Sequence, residues 1–168
     1  QTGDLRFINN VFAPNTSLES YDIRKMIAIS SLNSNPVGSK GEDRKNAVSR
    51  TYDRFAQNYI FYRLTDVMLM KAEALTQLAA SDEDVQLRQA FNLVQAVNSR
   101  SLYSGSLATD SLKFSYYKTR SSVETLVLQE RLRELCFEGK RWYDLVRYNY
   151  RQVDGIDYSK TLYQLQQE

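Results

Sequence analysis

The 168-residue chain contains no histidine. That removes His-based catalytic triads, most zinc sites and the usual near-neutral proton shuttle in one step. Its one cysteine, Cys136, excludes an internal disulfide framework. Long apolar runs are also missing. The longest is about four residues, around Val67 to Met70, so no segment of this sequence is built to span a bilayer as a helix. An excess of one charge is absent too. The formal net charge is +2, and the Lys and Arg are spread without a basic run, which leaves no electrostatic footprint for nucleic acid. What is present is a globular composition, 42% hydrophobic and 25% charged, in a chain long enough for one domain with a real core. A single domain over residues 1–168 is therefore expected. Aromatics are abundant, with 12 tyrosines and 7 phenylalanines. Tyrosine suits surfaces that are half apolar and half wet.

The pattern along the chain predicts an all-α architecture with a minor extended segment near the N-terminus. Residues 1–32 read as extended or irregular, with a weak strand signal around Lys25–Ser30. Residues 33–50, NSNPVGSKGEDRKNAVSR, are polar and rich in turn-formers, and read as a surface loop. From about Phe55 to Leu78 the pattern becomes helical. Leu64, Val67, Met68, Ala72, Leu75 and Leu78 recur at spacings that form one stripe, read as core-facing rather than as a groove for a partner helix. Ser81 with Asp82, Glu83 and Asp84 marks the start of the next helix, which runs to about Arg100 and buries Val85, Ala90, Phe91, Val94 and Val97. Two amphipathic helices with so short a link form a helical hairpin. Residues 101–121 read as a loop that exposes Phe114, Tyr116 and Tyr117. Ser122 with Glu124 behind it starts a third helix, which Gly139 breaks before a further one begins at Arg141.

The stretch ERLRELCFEGKRWYDLVRYN, residues 130–149, carries more charge than a core helix ordinarily tolerates, with apolar residues threaded through it. On helical spacing Glu130, Glu134 and Glu138 fall at successive i,i+4 steps, Arg131 reaches Glu134, and Arg141 reaches Asp144. Stacked glutamates repel unless arginines partner them, and Arg131, Arg133, Arg141 and Arg147 are the supply. A glycosidase pair would also use two carboxylates, at separations of ~5 Å or ~6.5–9.5 Å. Such pairs usually flank a substrate from different elements, and Arg beside a carboxylate lowers its pKa, the wrong direction for a general acid. A structural clamp is the better reading, with no catalytic residue and no metal site.

These residues carry a resemblance. The stretch is similar to the C-terminal signature of the SusD/RagB family through Glu130, Arg131, Glu134, Leu135, Phe137, Glu138, Gly139, Arg141, Trp142, Asp144, Leu145 and Arg147. Upstream, YRLTDVMLMKAEAL resembles a helix of the same family through Arg63, Asp66, Val67, Leu69, Met70, Ala72, Glu73 and Ala74, and AFNLVQAVNSR resembles the helix after it. The resemblance implies tetratricopeptide-like helical hairpins with long irregular loops. It implies a non-enzymatic protein without cofactor that captures an oligosaccharide or other nutrient at the cell surface. The partner would be a SusC-like TonB-dependent transporter of the outer membrane. Family members are longer and carry an N-terminal lipid anchor, which nothing in these residues matches, so the chain is expected to be a C-terminal portion of a longer protein. By the same resemblance the Glu/Arg stretch is part of the scaffold.

Sugar binding asks for flat aromatic faces bordered by hydrogen-bonding side chains, most often on loops. Tyr116 and Tyr117, beside Lys118 and Arg120, meet that description, as do Tyr52 and Phe55, flanking Asp53 and Arg54. Each pair also has a plainer reading as cover for its own scaffold. Trp142, the only tryptophan, is expected to pack in the core. A helical-repeat scaffold that binds a protein partner, with no small ligand, is the alternative function, and a glycoside hydrolase stands third.

Overall fold

The computed structural model describes residues 4–12, 22–23, 25, 29–31, 47–49, 60–102, 111–152, 163 and 166–167. The chain divides into two compact units, one of Asp4–Phe61 and one built on Tyr62–Glu168.

The first unit holds a short helix α1 (Leu5–Asn10) and four short strands, β1 (Val11–Phe12), β2 (Asp22–Ile23), β3 (Ile29–Ser31) and β4 (Ala47–Ser49). β1 pairs antiparallel with β2, and β3 with β4, in the register Ile29 to Ser49. Two expectations change here. Residues 5–10 are helical rather than extended, because the Asp4 carboxylate accepts the Arg6 backbone N–H at 2.9 Å and its guanidinium at 2.7 Å, satisfying a helix-start donor. The end of the polar 33–50 stretch is a strand. Its partner β3 overlaps the expected Lys25–Ser30 strand at Ile29 and Ser30, Lys25 is in a turn, and residues 26–28 lie outside the described set.

The second unit is helical: α2 (Leu64–Leu78), α3 (Val85–Arg100), a 3-10 turn at Phe114–Tyr116, α4 (Arg120–Glu134) and α5 (Arg141–Gln152). α2 and α3 form the expected hairpin, and α4 packs on both. The core between them is Leu69 and Ala72 from α2, Leu87, Phe91, Val94 and Val97 from α3, and Val123, Leu126 and Val127 from α4. Among the described residues no helix is long and apolar enough to cross a membrane.

Three boundaries differ from the periodicity reading. α2 begins at Leu64 rather than near residue 55, since Ile60–Arg63 are not helical; residues 55–59 lie outside the described set. Arg63 is extended (φ −137°, ψ 164°) and its guanidinium is engaged elsewhere in the fold. α3 begins at Val85, with Asp84 accepting the Gln86 N–H at 3.1 Å, and Val85 itself is exposed rather than buried. α4 begins at Arg120, not Ser122. Thr119 is the cap, and Ser122 closes a reciprocal capping box with it at 3.1 and 3.2 Å.

The stripe on α2 also changes. The buried face is Thr65, Asp66, Leu69, Ala72 and Thr76, whereas Leu64, Val67 and Leu78 point outward. Apolar periodicity misses this because three of the five buried positions are polar. Thr76 satisfies its hydroxyl on the Ala72 carbonyl at 2.8 Å, and Asp66 takes an arginine from α4.

α4 stops at Glu134, and a turn through Leu135–Gly139 reverses the chain into α5. Phe137 (φ 66°) and Gly139 (φ 69°) both sit in the left-handed region. A Cβ at Gly139 would meet nothing within 4 Å, so Gly139→Ala carries the backbone cost alone. It is expected to lower stability by ~1–2 kcal/mol in a denaturant melt. No change would mean that the turn relaxes freely.

Candidate functional site

The charged stretch at 130–149 folds into a buried ionic clamp whose partners come from different helices. Arg131 of α4 is buried and lies between two buried carboxylates, Asp66 of α2 at 3.0 Å and Asp144 of α5 at 2.9 Å. Lys140 reaches the second oxygen of Asp66 at 3.5 Å, and Arg147 reaches Asp144 at 2.7 Å. Glu134, buried at the end of α4, accepts from Arg63 at 2.6 Å and Arg100 at 2.5 Å. Glu138 takes Arg63 at 2.8 Å, and Arg63 also donates to the Glu134 carbonyl at 2.7 Å. Glu130 accepts from Arg133 at 2.7 Å and from the Asn98 amide at 3.1 Å. On the outer side Glu73 of α2 joins Arg147 at 3.1 Å and Arg151 at 2.8 Å.

The pairing differs from the expected one in three ways, the first being that Asp144 is met by Arg131 and Arg147, while Arg141, expected to reach it, donates to the Leu128 carbonyl at 3.4 Å. Glu138 lies in the turn after α4 and so does not continue a helical row with Glu130 and Glu134. Arg131 bridges to Asp66 and Asp144 rather than to Glu134. The clamp thus ties α2, α3, α4 and α5 together, where the i,i+3 and i,i+4 reading confined it to one face.

The electrostatics favour ionised carboxylates. Burial alone would raise the Glu134 carboxyl, but hydrogen bonds and charge from Arg63 and Arg100 hold it below the ordinary value. Burial likewise opposes ionisation of Glu73, and Arg147 and Arg151 again bring it below. Burial pulls Arg63 and Arg147 down, and their carboxylate partners more than restore them, so both are raised. A carboxylate with a depressed pKa and a bound arginine accepts hydrogen bonds and does not deliver a proton near neutral pH.

The aromatic candidates fall in different places. Tyr116 is 73% exposed on the 3-10 turn. Tyr117 is half-buried, its ring 5.9 Å from that of Phe91 in the core, and Phe114 meets Phe91 edge-on at 5.3 Å with the Arg88 guanidinium over its ring, 4.2 Å from the centroid. The expected exposed trio is therefore one exposed ring and two that lean on α3. Lys118 pairs with Glu83, and Arg120 donates to the Gln77 carbonyl and amide. Tyr52 and Phe55 lie outside the described residues. Trp142 differs from the core expectation: it is half-buried and lines a cleft of about 210 Å³ at the α4–α5 turn with Cys136, Phe137, Lys140 and Arg141.

A second hollow, of about 250 Å³, was not visible to the sequence reading. It lies along α3 and is lined by Asn92, Gln95, Asn98, Ser99 and Ser111, with apolar floor from Leu102 and Leu112. The Gln95 amide donates to the Leu112 carbonyl at 3.1 Å, which fixes the segment at 111–112 against the helix. Among the described residues no charged side chain lines this hollow. Amides and hydroxyls over apolar carbon match a neutral, hydroxyl-rich ring better than an ion. The signal that would have found it is Asn92, Gln95 and Ser99 at i, i+3 and i+7 on one face of α3.

A hairpin of helices backed by a third, locked by arginines between buried carboxylates, is an all-α scaffold whose charge serves packing. The chain belongs to the SusD family, whose model matches residues 14–167. It is 30% identical over 147 residues to the SusD-like protein P38 of Formosa agariphila, covering 88% of this chain and 24% of the relative. It is 35% identical over 91 residues to the SusD-like protein P2 of the same organism, covering 54% of this chain and 17% of the relative. The chain thus spans about a quarter or less of the length of these curated relatives. No solved structure matches it significantly.

Proposed function

We propose that this chain is the C-terminal helical part of a longer, non-enzymatic cell-surface protein that captures a glycan or other nutrient. It would pass its cargo to a SusC-like TonB-dependent transporter in the outer membrane, held there by a lipid anchor outside these residues. The observation that carries the proposal is the SusD family match across residues 14–167. Two features of the fold support it. The clamp carboxylates are occupied by arginines, which suits a rigid scaffold better than acid–base chemistry. The segment 111–117 carries both a wall of the neutral α3 hollow and the exposed Tyr116, the hydrogen-bonding and stacking elements a sugar ring uses. In this reading Tyr116, with Tyr117, Tyr52 and Phe55 as further candidates, meets the ligand.

The test is thermal unfolding with a panel of oligosaccharides at millimolar concentration. One glycan class is expected to stabilise the chain, by ~2.7 kcal/mol if it is present at about 100 times its dissociation constant. Asn92→Ala and Tyr116→Ser should each reduce that gain while leaving the unliganded melt in place. No shift with any glycan, for this chain or for a longer protein containing it, would sink the sugar assignment. The alternative, a scaffold that binds a protein through a helix face, draws on one observation, the apolar outer side of α2.

A further inference from the structure

The amides of the hollow along α3 have a fixed sense. Asn98 donates through its side-chain nitrogen to the Glu130 carboxylate at 3.1 Å, and Gln95 donates through its own to the Leu112 carbonyl, also at 3.1 Å. Both partners can only accept, so each amide is held with its nitrogen turned to the protein. The side-chain oxygens of Gln95 and Asn98 accept from no group among the described residues. Ser99 directs its single proton to the Ala96 carbonyl at 3.3 Å and keeps its lone pairs. These three side chains therefore retain roughly three acceptor sites for every donor.

Charge points the same way. The hollow lies along the last turns of α3, the end at which the helix dipole is negative. Glu130, behind Asn98, is paired with Arg133 at 2.7 Å, and Arg100 at the helix end with Glu134 at 2.5 Å, so these flanking charges engage one another. The cleft at the α4–α5 turn is the opposite case, with Arg131, Lys140 and Arg141 in its walls. A carboxylate or sulfate entering the α3 hollow would exchange water for a lining with few donors and, among the described residues, no cation. A sugar hydroxyl donates as well as accepts, and the apolar face of its ring can rest on Leu102 and Leu112.

We propose that the α3 hollow selects neutral sugar residues, whose hydroxyls donate to Gln95, Asn98 and Ser99, and rejects residues that carry a carboxylate or a sulfate. The inference rests on the glycan reading above and specifies which glycans that site takes. Selection here comes from the sense of the hydrogen bonds and from the missing cation, so binding of the preferred ligand is insensitive to salt.

The experiment is calorimetric titration of the chain, or of a longer protein containing it, with two sets of oligosaccharides. The neutral set is built from glucose, mannose, xylose or galactose, and the acidic set from galacturonate, mannuronate or sulfated galactose. The tightest neutral member should bind at least ~10-fold more strongly than any acidic one. Its affinity should hold within ~2-fold between ~50 and ~500 mM salt. Asn92→Lys, which sets a cation at an exposed position on the wall, should cut that preference by ~5-fold or more, and the acidic binding it creates should weaken as salt rises. Should Asn92→Lys disturb the fold, Ser99→Lys, exposed in the last turn of α3, carries the same comparison. Binding confined to the acidic set would overturn the selection, as would an acidic member that displaces a neutral one at comparable concentration. A preference that neither lysine variant alters would overturn it too, because the discriminating surface would then lie elsewhere. In each of these cases the protein still binds a glycan, so the function proposed above survives while the selection falls. If no member of either set binds, the glycan reading itself fails and the selection with it.

Discussion

Arg131→Met is expected to lower stability by ~3–5 kcal/mol, the largest effect of any single substitution considered for this chain. The guanidinium is buried and is the link between Asp66 on α2 and Asp144 on α5. Methionine fills most of the stem volume, so lost packing is a minor part of the cost. The major part is two carboxylates left in a site closed to water, with only Lys140 and Arg147 reaching them from the periphery. An equilibrium urea melt reads the effect as a fall in midpoint. The triple variant Arg131→Met, Asp66→Asn, Asp144→Asn separates the two contributions. Removing the stranded charges should restore a large share of the loss, since a buried ion pair is often no more stable than a neutral replacement of similar shape. If the triple variant is no better than the single one, the cost lies in packing. Lys118→Ala, which breaks an exposed pair with Glu83, provides the reference and should stay within ~0.5 kcal/mol. A loss under ~1 kcal/mol for Arg131→Met would show that the site is hydrated.

Much of this clamp was legible before its geometry was. Glu130, Arg131, Glu134, Glu138, Asp144 and Arg147 could be picked out because charge at that density, interleaved with Leu and Val, needs mutual compensation, whereas Arg63 and Asp66 stood out only through the family resemblance of their helix. Which acid meets which base was not legible. Spacing arithmetic sees only neighbours on one helix, and Asp66 lies 65 residues from the Arg131 it binds. For the same reason Glu138 was assigned to a helical row, although its partner is Arg63, 75 residues upstream. The α2–α3 hairpin and the existence of α4 and α5 followed from periodicity, and the turn at Gly139 from its lack of a side chain. The orientation of α2 did not follow, because a face holding Thr65, Asp66 and Thr76 looks solvent-exposed until their partners are known. Leu64 and Leu78, which look like core, are on the outside. Binding surfaces were the least legible. Asn92, Gln95 and Ser99 are ordinary helix-surface residues in sequence, and only the return of the segment at 111–112 over α3 makes them the wall of a hollow.

Acid should unfold the chain through Glu134, and the sign follows from its depressed pKa. At neutral pH the carboxylate is ionised in both folded and unfolded states, and only the folded state supplies Arg63 and Arg100. As pH falls through the ordinary glutamate value of 4.5, the unfolded chain takes up the proton first. Stability is therefore full above about pH 5.5, declines as pH drops, and the contribution is gone once pH passes below the folded-state value. Glu73, depressed by Arg147 and Arg151, adds a slope of the same sign. The variant Glu134→Gln isolates the first contribution. It keeps the shape and removes the charge, and is expected to be ~1.5–3 kcal/mol less stable at pH 7. This is less than for Arg131→Met, because Arg63 and Arg100 are 27% and 58% exposed and can turn to water when their partner is lost. On lowering the pH, the melts of wild type and Glu134→Gln should converge, since the protonated glutamic acid and the amide become electrostatic equals. All other carboxylates titrate in both proteins, so the general rise in positive charge cancels in the difference. Curves that stay parallel from pH 7 to pH 3 would mean that the value of Glu134 lies in its shape and hydrogen bonds. In that case the clamp would hold its helices by packing, with charge along for the ride.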